Sequence, residues 1–163
     1  MTASEARPGA LSLDTLLSPH RATVMGILNI TPDSFSDGGR FVDPQIAIGH
    51  ATRMIADGAD IIDIGAESTR PYGGMQPVTE EIERQRLQPV LGAVVALGKP
   101  VSIDTMKAAI LDWALRQGAA IANDVWGLQR DPDMAHVVAD HGVPAVVMHN
   151  RDKADPAIDI VDD

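Results

Sequence analysis

Five short aliphatic runs punctuate the chain, at Thr23 to Ile30, Ile61 to Ala66, Pro100 to Thr105, Ala120 to Val125 and Pro144 to Asn150. Each is nearly continuous in apolar character rather than alternating with polar residues. Strands covered on both faces have that composition, as in parallel sheets flanked by helices. Segments of helical spacing lie between the runs: Ile46 to Asp57, Glu80 to Leu97, Lys107 to Gln117 and Asp133 to Asp140. In the second of these, Ile82, Leu87, Val90, Leu91, Val94 and Val95 recur at three- and four-residue steps, which lays them along one helix face. Gly58, Gly98, Gly118 and Gly142 each follow a helical segment, where a glycine takes the left-handed conformation that ends a helix. Pro44 and Pro132 suit first-turn positions, with Asp43 and Asp131 as their N-caps. The order β-α-β-α-β-α-β-α-β predicts right-handed crossovers and a parallel α/β sheet, either part of a (β/α) barrel or an open doubly wound sheet.

The rest of the composition narrows the chemistry. With 163 residues the chain can bury a core, and with 3% aromatic residues that core must be aliphatic. There is no cysteine, which excludes disulfides, cysteine-ligated metals and a thiol nucleophile. Acidic residues outnumber basic ones by 23 to 13, for a net charge of −10. Nucleic acid and anionic membrane surfaces are therefore unsuitable partners. No apolar run reaches the length of a membrane span, and residues 1–22 lack the pattern of a signal peptide. A soluble, cytoplasmic protein is expected, with an N-terminal extension over 1–22 and the α/β unit over 23–163.

Both candidate architectures put chemistry at the carboxyl ends of the strands. There the sequence becomes polar and ligand-like. Asn29 opens a long loop through Thr31, Asp33, Phe35 and Gly39, and Glu67 opens a second through Thr69 and Arg70 to Gly74. Asp104 and Thr105, Asn123 and Asp124, and Met148 and His149 end the remaining strands. Any one of these residues has an ordinary structural use: Asp104 can cap a helix beginning at Met106, and Asp124 can form an Asx-turn. Polar groups at five consecutive strand ends, with short glycine-centred connections at the opposite ends, point to a functional face against a structural one.

Two long motifs carry a resemblance. Residues Met25 to Gly39 (MGILNITPDSFSDGG) and Ile61 to Pro71 (IIDIGAESTRP) resemble the first two signatures of the dihydropteroate synthase family, pterin-binding (β/α)8 TIM barrels. VSID at Val101 to Asp104 and IAND at Ile121 to Asp124 fall where that family has strand-end pterin contacts. The resemblance implies a transferase of folate biosynthesis. It joins p-aminobenzoate to the methylene carbon of a dihydropterin whose leaving group is pyrophosphate, with Mg2+ neutralising the leaving charge. It assigns Asn29 to the metal, and Asp104 and Asn123 to the donor–acceptor edge of the pterin head. Met148 goes to the pterin slot and Thr69 to the diphosphate substrate. On chemical grounds Arg70 can clamp a phosphate oxygen or order the first loop, Phe35 can pack on the aminobenzoate ring or anchor that loop, and Asp33 can stabilise the cationic pterin carbon as a catalytic group.

The same family carries further groups on later strands: another pterin-contacting Asp, a Lys within Ser-Arg-Lys, and an Arg-x-His pair. None occurs in this sequence. Five strands and four helices form an incomplete barrel, since an eight-stranded one takes about 200 residues at least. Low activity of the chain alone is expected, together with self-association through open sheet edges. Two other readings are a non-catalytic pterin-binding or oligomerising fragment and the pterin domain of a methyltetrahydrofolate-type methyltransferase.

Overall fold

The computed structural model describes residues 16–17, 21–31, 43–67 and 78–149. Nine elements alternate along them: β1 (Met25–Asn29), α1 (Pro44–Ala56), β2 (Ile61–Gly65), α2 (Glu80–Val95), β3 (Val101–Asp104), α3 (Ala108–Arg116), β4 (Ile121–Asp124), α4 (Met134–His141) and β5 (Ala145–Val147). All five strands belong to one sheet in the order β1-β2-β3-β4-β5, and every neighbouring pair is parallel. A doubly wound sheet reverses its order at a switch point. This sheet never does, so right-handed crossovers stack all four helices on one side, as the wall of a barrel. The helices pack in sequence, α1 on α2, α2 on α3 and α3 on α4.

Side-chain alternation sorts the strands between their two faces. Leu28, Ile64, Ile103 and Ala122 are register partners, and all four are buried in the core beneath the helices. Leu87, Val90, Leu91 and Val94 of α2 and Ile110, Leu111 and Ala114 of α3 fill the other side of that core. On the opposite face, Ile27, Asp63, Ser102 and Ile121 form one row. Asn29, Gly65, Asp104, Asn123 and Val146 form the next, at the carboxyl ends.

The helix boundaries follow local chemistry. Asp43 caps α1 by accepting from the Gln45 amide at 2.8 Å, with Pro44 in the first turn. Thr79 caps α2 by accepting from the Ile82 amide. The expected cap at Asp131 takes a different form. Helix α4 begins only at Met134, and Asp131 instead accepts from the Asp133 amide at 3.0 Å and from the Ala108 amide at 2.8 Å. It therefore satisfies the start of α3, whose own N-cap residue Lys107 makes no side-chain cap. Nor does Asp104 cap that helix, which starts four residues later.

Gly58, Gly98, Gly118 and Gly142 all have positive φ. At Gly118 two constraints coincide: φ is +104°, and a Cβ there would lie 2.9 Å from Val95 Cγ1 on α2. Gly118→Ala is expected to cost about 1–3 kcal/mol, read as a lower denaturant midpoint with an unchanged slope.

Candidate functional site

Four residues of the carboxyl-end row form the centre of the site. Asn29 ends β1, Gly65 ends β2, Asp104 ends β3, and Asn123 lies one residue from the end of β4. They are successive register partners, so their side-chain positions share one face. Gly65 makes the row continuous. A Cβ there would lie 3.3 Å from both Asn29 Oδ1 and Asp104 Oδ2, so the glycine leaves a gap into which the two polar groups lean.

The electrostatics of the row are costly. Burial pushes the Asp104 carboxyl up to about 7, and the charges of Asp63, Glu83, Asp124 and Glu67 push the same way. With no cationic partner among the described residues, a carboxyl amid other carboxylates is poised to accept hydrogen bonds from a ligand when ionised. Asp63, in the row below, is 3% exposed, and burial raises its pKa while the neighbouring Ser102 hydroxyl and Asn123 amide oppose the rise. The Asn123 side-chain nitrogen donates to Asp63 Oδ2 at 3.2 Å. Asp124 is a structural residue, as its Asx geometry suggested: its carboxylate accepts from the Trp126 and Leu128 amides, both at 2.8 Å. Leu128 takes a left-handed φ of 62° within that turn.

Met148 lies just past β5 and is half exposed at 51%. Its amide donates to the Asp124 carbonyl at 3.3 Å, which anchors it beside the site's last strand. Asp33, Phe35, Thr69 and Arg70 fall outside the described residues. Among the described residues no group of three His, Cys, Asp or Glu side chains could by itself hold a metal. A magnesium ion that keeps most of its waters needs only one or two protein oxygens, and the exposed Asn29 carbonyl at the strand end fits that demand.

The residue types alone did not single out the cluster behind the site. The Lys107 ammonium bonds Glu67, at the start of the second loop, and Glu83 of α2, the latter at 2.7 Å. Burial opposes the Lys107 charge, but the hydrogen bonds to Glu67 and Glu83 outweigh it and hold the pKa above its ordinary value. Glu67 also accepts from the Val78 amide at 3.1 Å, and Arg86 donates to the Ala66 carbonyl at 2.7 Å. The strand end after β2 is thus tied to α2 and α3. Lys107 lies three residues after Asp104, but its partners are 24 and 40 residues away, and helical spacing gives no sign of them.

Five parallel strands in consecutive order with one helix layer define part of a fold of the (β/α)-barrel class, with a polar row at its carboxyl ends. A family model described as "Pterin binding enzyme" matches residues 25–160, and the chain belongs to that family. It is 51% identical over 146 residues to the dihydropteroate synthase of Bacillus subtilis, covering 89% of this chain and 49% of that protein. The dihydropteroate synthase of Clostridium beijerinckii is also 51% identical, over 136 residues, covering 83% and 50%. Among solved structures, dihydropteroate synthase of Xanthomonas albilineans with 4-aminobenzoic acid matches at 44% identity and a TM-score of 0.75, covering 85% of this chain and 51% of that one. The enzyme of Thermus thermophilus in complex with 6HMPPP matches at 46% identity and 0.67, covering 83% and 47%. The chain spans about half the length of the curated relatives it matches. The part of a TIM barrel read from the motifs is the architecture observed.

Two stability measurements check this electrostatic picture. Lys107→Met leaves Glu83, fully buried, facing Glu67 without a cation, and is expected to cost about 3–5 kcal/mol in chemical denaturation. Asp104→Asn acts in the opposite direction. Above about pH 7 the folded wild type carries a charge that the unfolded chain, with its ordinary value of 3.8, bears more cheaply. The variant should therefore be more stable by about 1–3 kcal/mol near pH 8, and that advantage should vanish as the pH falls towards 4.

Proposed function

We propose that this chain forms the pterin-binding half of a dihydropteroate synthase. The observation that carries the reading is the continuous row Asn29–Gly65–Asp104–Asn123, in which a carboxylate and an amide on neighbouring strands present acceptors side by side. A pterin head is flat, with a guanine-like edge of N–H donors. Its exocyclic amino group can donate one hydrogen to each of two acceptors about 5 Å apart, and neighbouring strands are about 4.8 Å apart. Asp104 and Asn123 are spaced to take both hydrogens of one amino group. Met148 lines the slot from the β5 side.

In the proposed reaction the amine nitrogen of p-aminobenzoate attacks the methylene carbon of the dihydropterin. A C–N bond forms, the C–O bond to pyrophosphate breaks with its electron pair leaving on oxygen, and the nitrogen gives up a proton. Asn29 would hold a magnesium ion, which would supply charge neutralisation to the leaving diphosphate. Asp104 and Asn123 hold the pterin in place, which converts an encounter into an oriented approach. Thr69 and Arg70 act on the diphosphate, Asp33 stabilises positive charge at the pterin carbon, and Phe35 packs on the aminobenzoate ring. The groups that the family resemblance puts on later strands complete the site. Ile27 on β1 and Val146 and Val147 on β5 are exposed on the two edge strands, and self-association through these edges follows from their burial energy. The setting is cytoplasmic, and among the described residues no helix is long and apolar enough to cross a membrane.

Calorimetry of the chain with dihydropterin diphosphate is expected to show binding that Asp104→Ala weakens by about 100-fold. Pyrophosphate release with p-aminobenzoate is expected from a complete barrel containing this chain and to be slight from the 163 residues alone. Light scattering on the same samples should show more than one copy. No pterin binding, or transfer of a methyl group from a methyl-folate instead, would overturn the reading.

A further inference from the structure

Asp63 is a buried carboxylate in the middle of β2, 3% exposed, one row below the proposed ligand contacts. Among the described residues it has no cationic partner: the ion pairs there join Arg21 to Asp60, Lys107 to Glu67 and Glu83, and Arg116 and His141 to Asp112. Among the described residues its Oδ1 lacks a well-formed hydrogen bond, and the Ser102 hydroxyl, on the register partner in β3, lies beside the carboxyl and opposes the rise in its pKa. Its Oδ2 accepts from the Asn123 side-chain nitrogen at 3.2 Å. Burying an unpaired carboxylate is expensive, and a serine or alanine at this position would avoid the expense.

The bond from Asn123 explains what the ionised carboxylate does. An ionised carboxylate has lone pairs and no hydrogen, so it can only accept. An asparagine amide is nearly symmetric in shape, and either end of Asn123 would fit the same space. Only the nitrogen end can face Asp63, which turns the Asn123 carbonyl oxygen away from it. A neutral partner at position 63 could receive either end and would leave the amide free to flip.

We propose that Asp63 is a positioning residue that sets the polarity of the site: by anchoring the Asn123 nitrogen, it makes the Asn123 carbonyl an acceptor selective for a ligand edge bearing an amino group. The inference rests on the pterin-binding reading above and adds a residue that never touches the ligand. With Asp104 also an acceptor, the row reads donors only. A heterocycle with a carbonyl in place of the amino group would set oxygen against oxygen.

The test compares 6-hydroxymethyl-7,8-dihydropterin with the corresponding dihydrolumazine, in which that amino group is replaced by a carbonyl. Affinities are measured by calorimetry on the full chain, with folding checked by circular dichroism. The wild type should prefer the dihydropterin by about 100-fold, and Asp63→Asn should narrow that ratio by about tenfold or more, because the amide pair can then flip. The double exchange Asp63→Asn with Asn123→Asp reverses donor and acceptor inside the pair and again presents an oxygen to the ligand, so it should regain the preference. A purely structural role for Asp63 would lower both affinities together and leave the ratio unchanged. An unchanged ratio in Asp63→Asn, or a double exchange that does not recover it, overturns the inference while pterin binding by the wild type stands. Where Asp63→Asn alone does not fold, Asp63→Ala, which removes the buried charge and leaves the Asn123 amide free to turn, should narrow the ratio in the same way, and an unchanged ratio there overturns the inference. A wild type that binds neither heterocycle sinks both this inference and the proposed function.

Discussion

The register of five parallel strands holds this molecule together and also places its site. Because side chains alternate, one register places Leu28, Ile64, Ile103 and Ala122 under the helices and Asn29, Gly65, Asp104 and Asn123 in a row on the other face. A slip of one residue in any strand would exchange the two sets, burying polar groups beneath α1 to α4 and exposing aliphatic ones. The aliphatic set is fully buried, so each strand resists a slip by the burial energy of its core residues. Hydrophobic packing on the helix side thereby fixes the positions of the polar groups opposite, and the site is held to the precision of the core.

That arrangement brings together charges that repel one another. Asp63, Asp104, Glu67, Glu83 and Asp124 lie near enough for four of them to act on the fifth, Asp104. The fold meets the charge differently at each position. Glu67 and Glu83 share the Lys107 ammonium, and Asp124 is bonded to two backbone amides. Asp63 has one amide and an adjacent hydroxyl. Among the described residues Asp104 has no compensation of that kind, and its carboxyl is pushed up to about 7. Compensation declines towards the position where a ligand would supply it, as expected where a site is bought with local instability.

The element order and the strand-end residues were legible in the sequence because both depend on local pattern. Glycine stops, helical spacing and aliphatic runs are written within ten or fifteen residues, and Asn29, Asp104 and Asn123 stand where polar chemistry interrupts an apolar run. What escaped was set by long-range geometry. Asp63 sits inside an aliphatic run and is 60 residues from Asn123, to which it bonds. Asp131 reads as the cap of the helix that follows it, but it reaches back 23 residues to the start of α3. Neither partnership leaves a local trace, since a sequence displays neighbours along the chain and these contacts cross from one β/α unit to another. The motifs pointed to the family because long signatures encode such cross-unit contacts indirectly, without revealing which residues make them.

The proposed donor-reading row, built from acceptors, has a consequence for how its parts can vary. Asp104 offers only lone pairs while ionised, but Asn123 is polarity-neutral until something orients it. In a row of strand ends, an asparagine can thus be converted into an acceptor or a donor by a residue one row deeper, without altering the shape of the ligand surface. The deeper residue must be charged or otherwise fixed in polarity, must be buried so that water does not substitute for it, and must be held in register. Asp63 meets all three conditions, with Ser102 beside it on β3. The cost of burying it is what a fixed amide orientation requires. Without that charge, the surface that touches a ligand would keep its residues and its shape but lose its preference for one hydrogen-bonding edge.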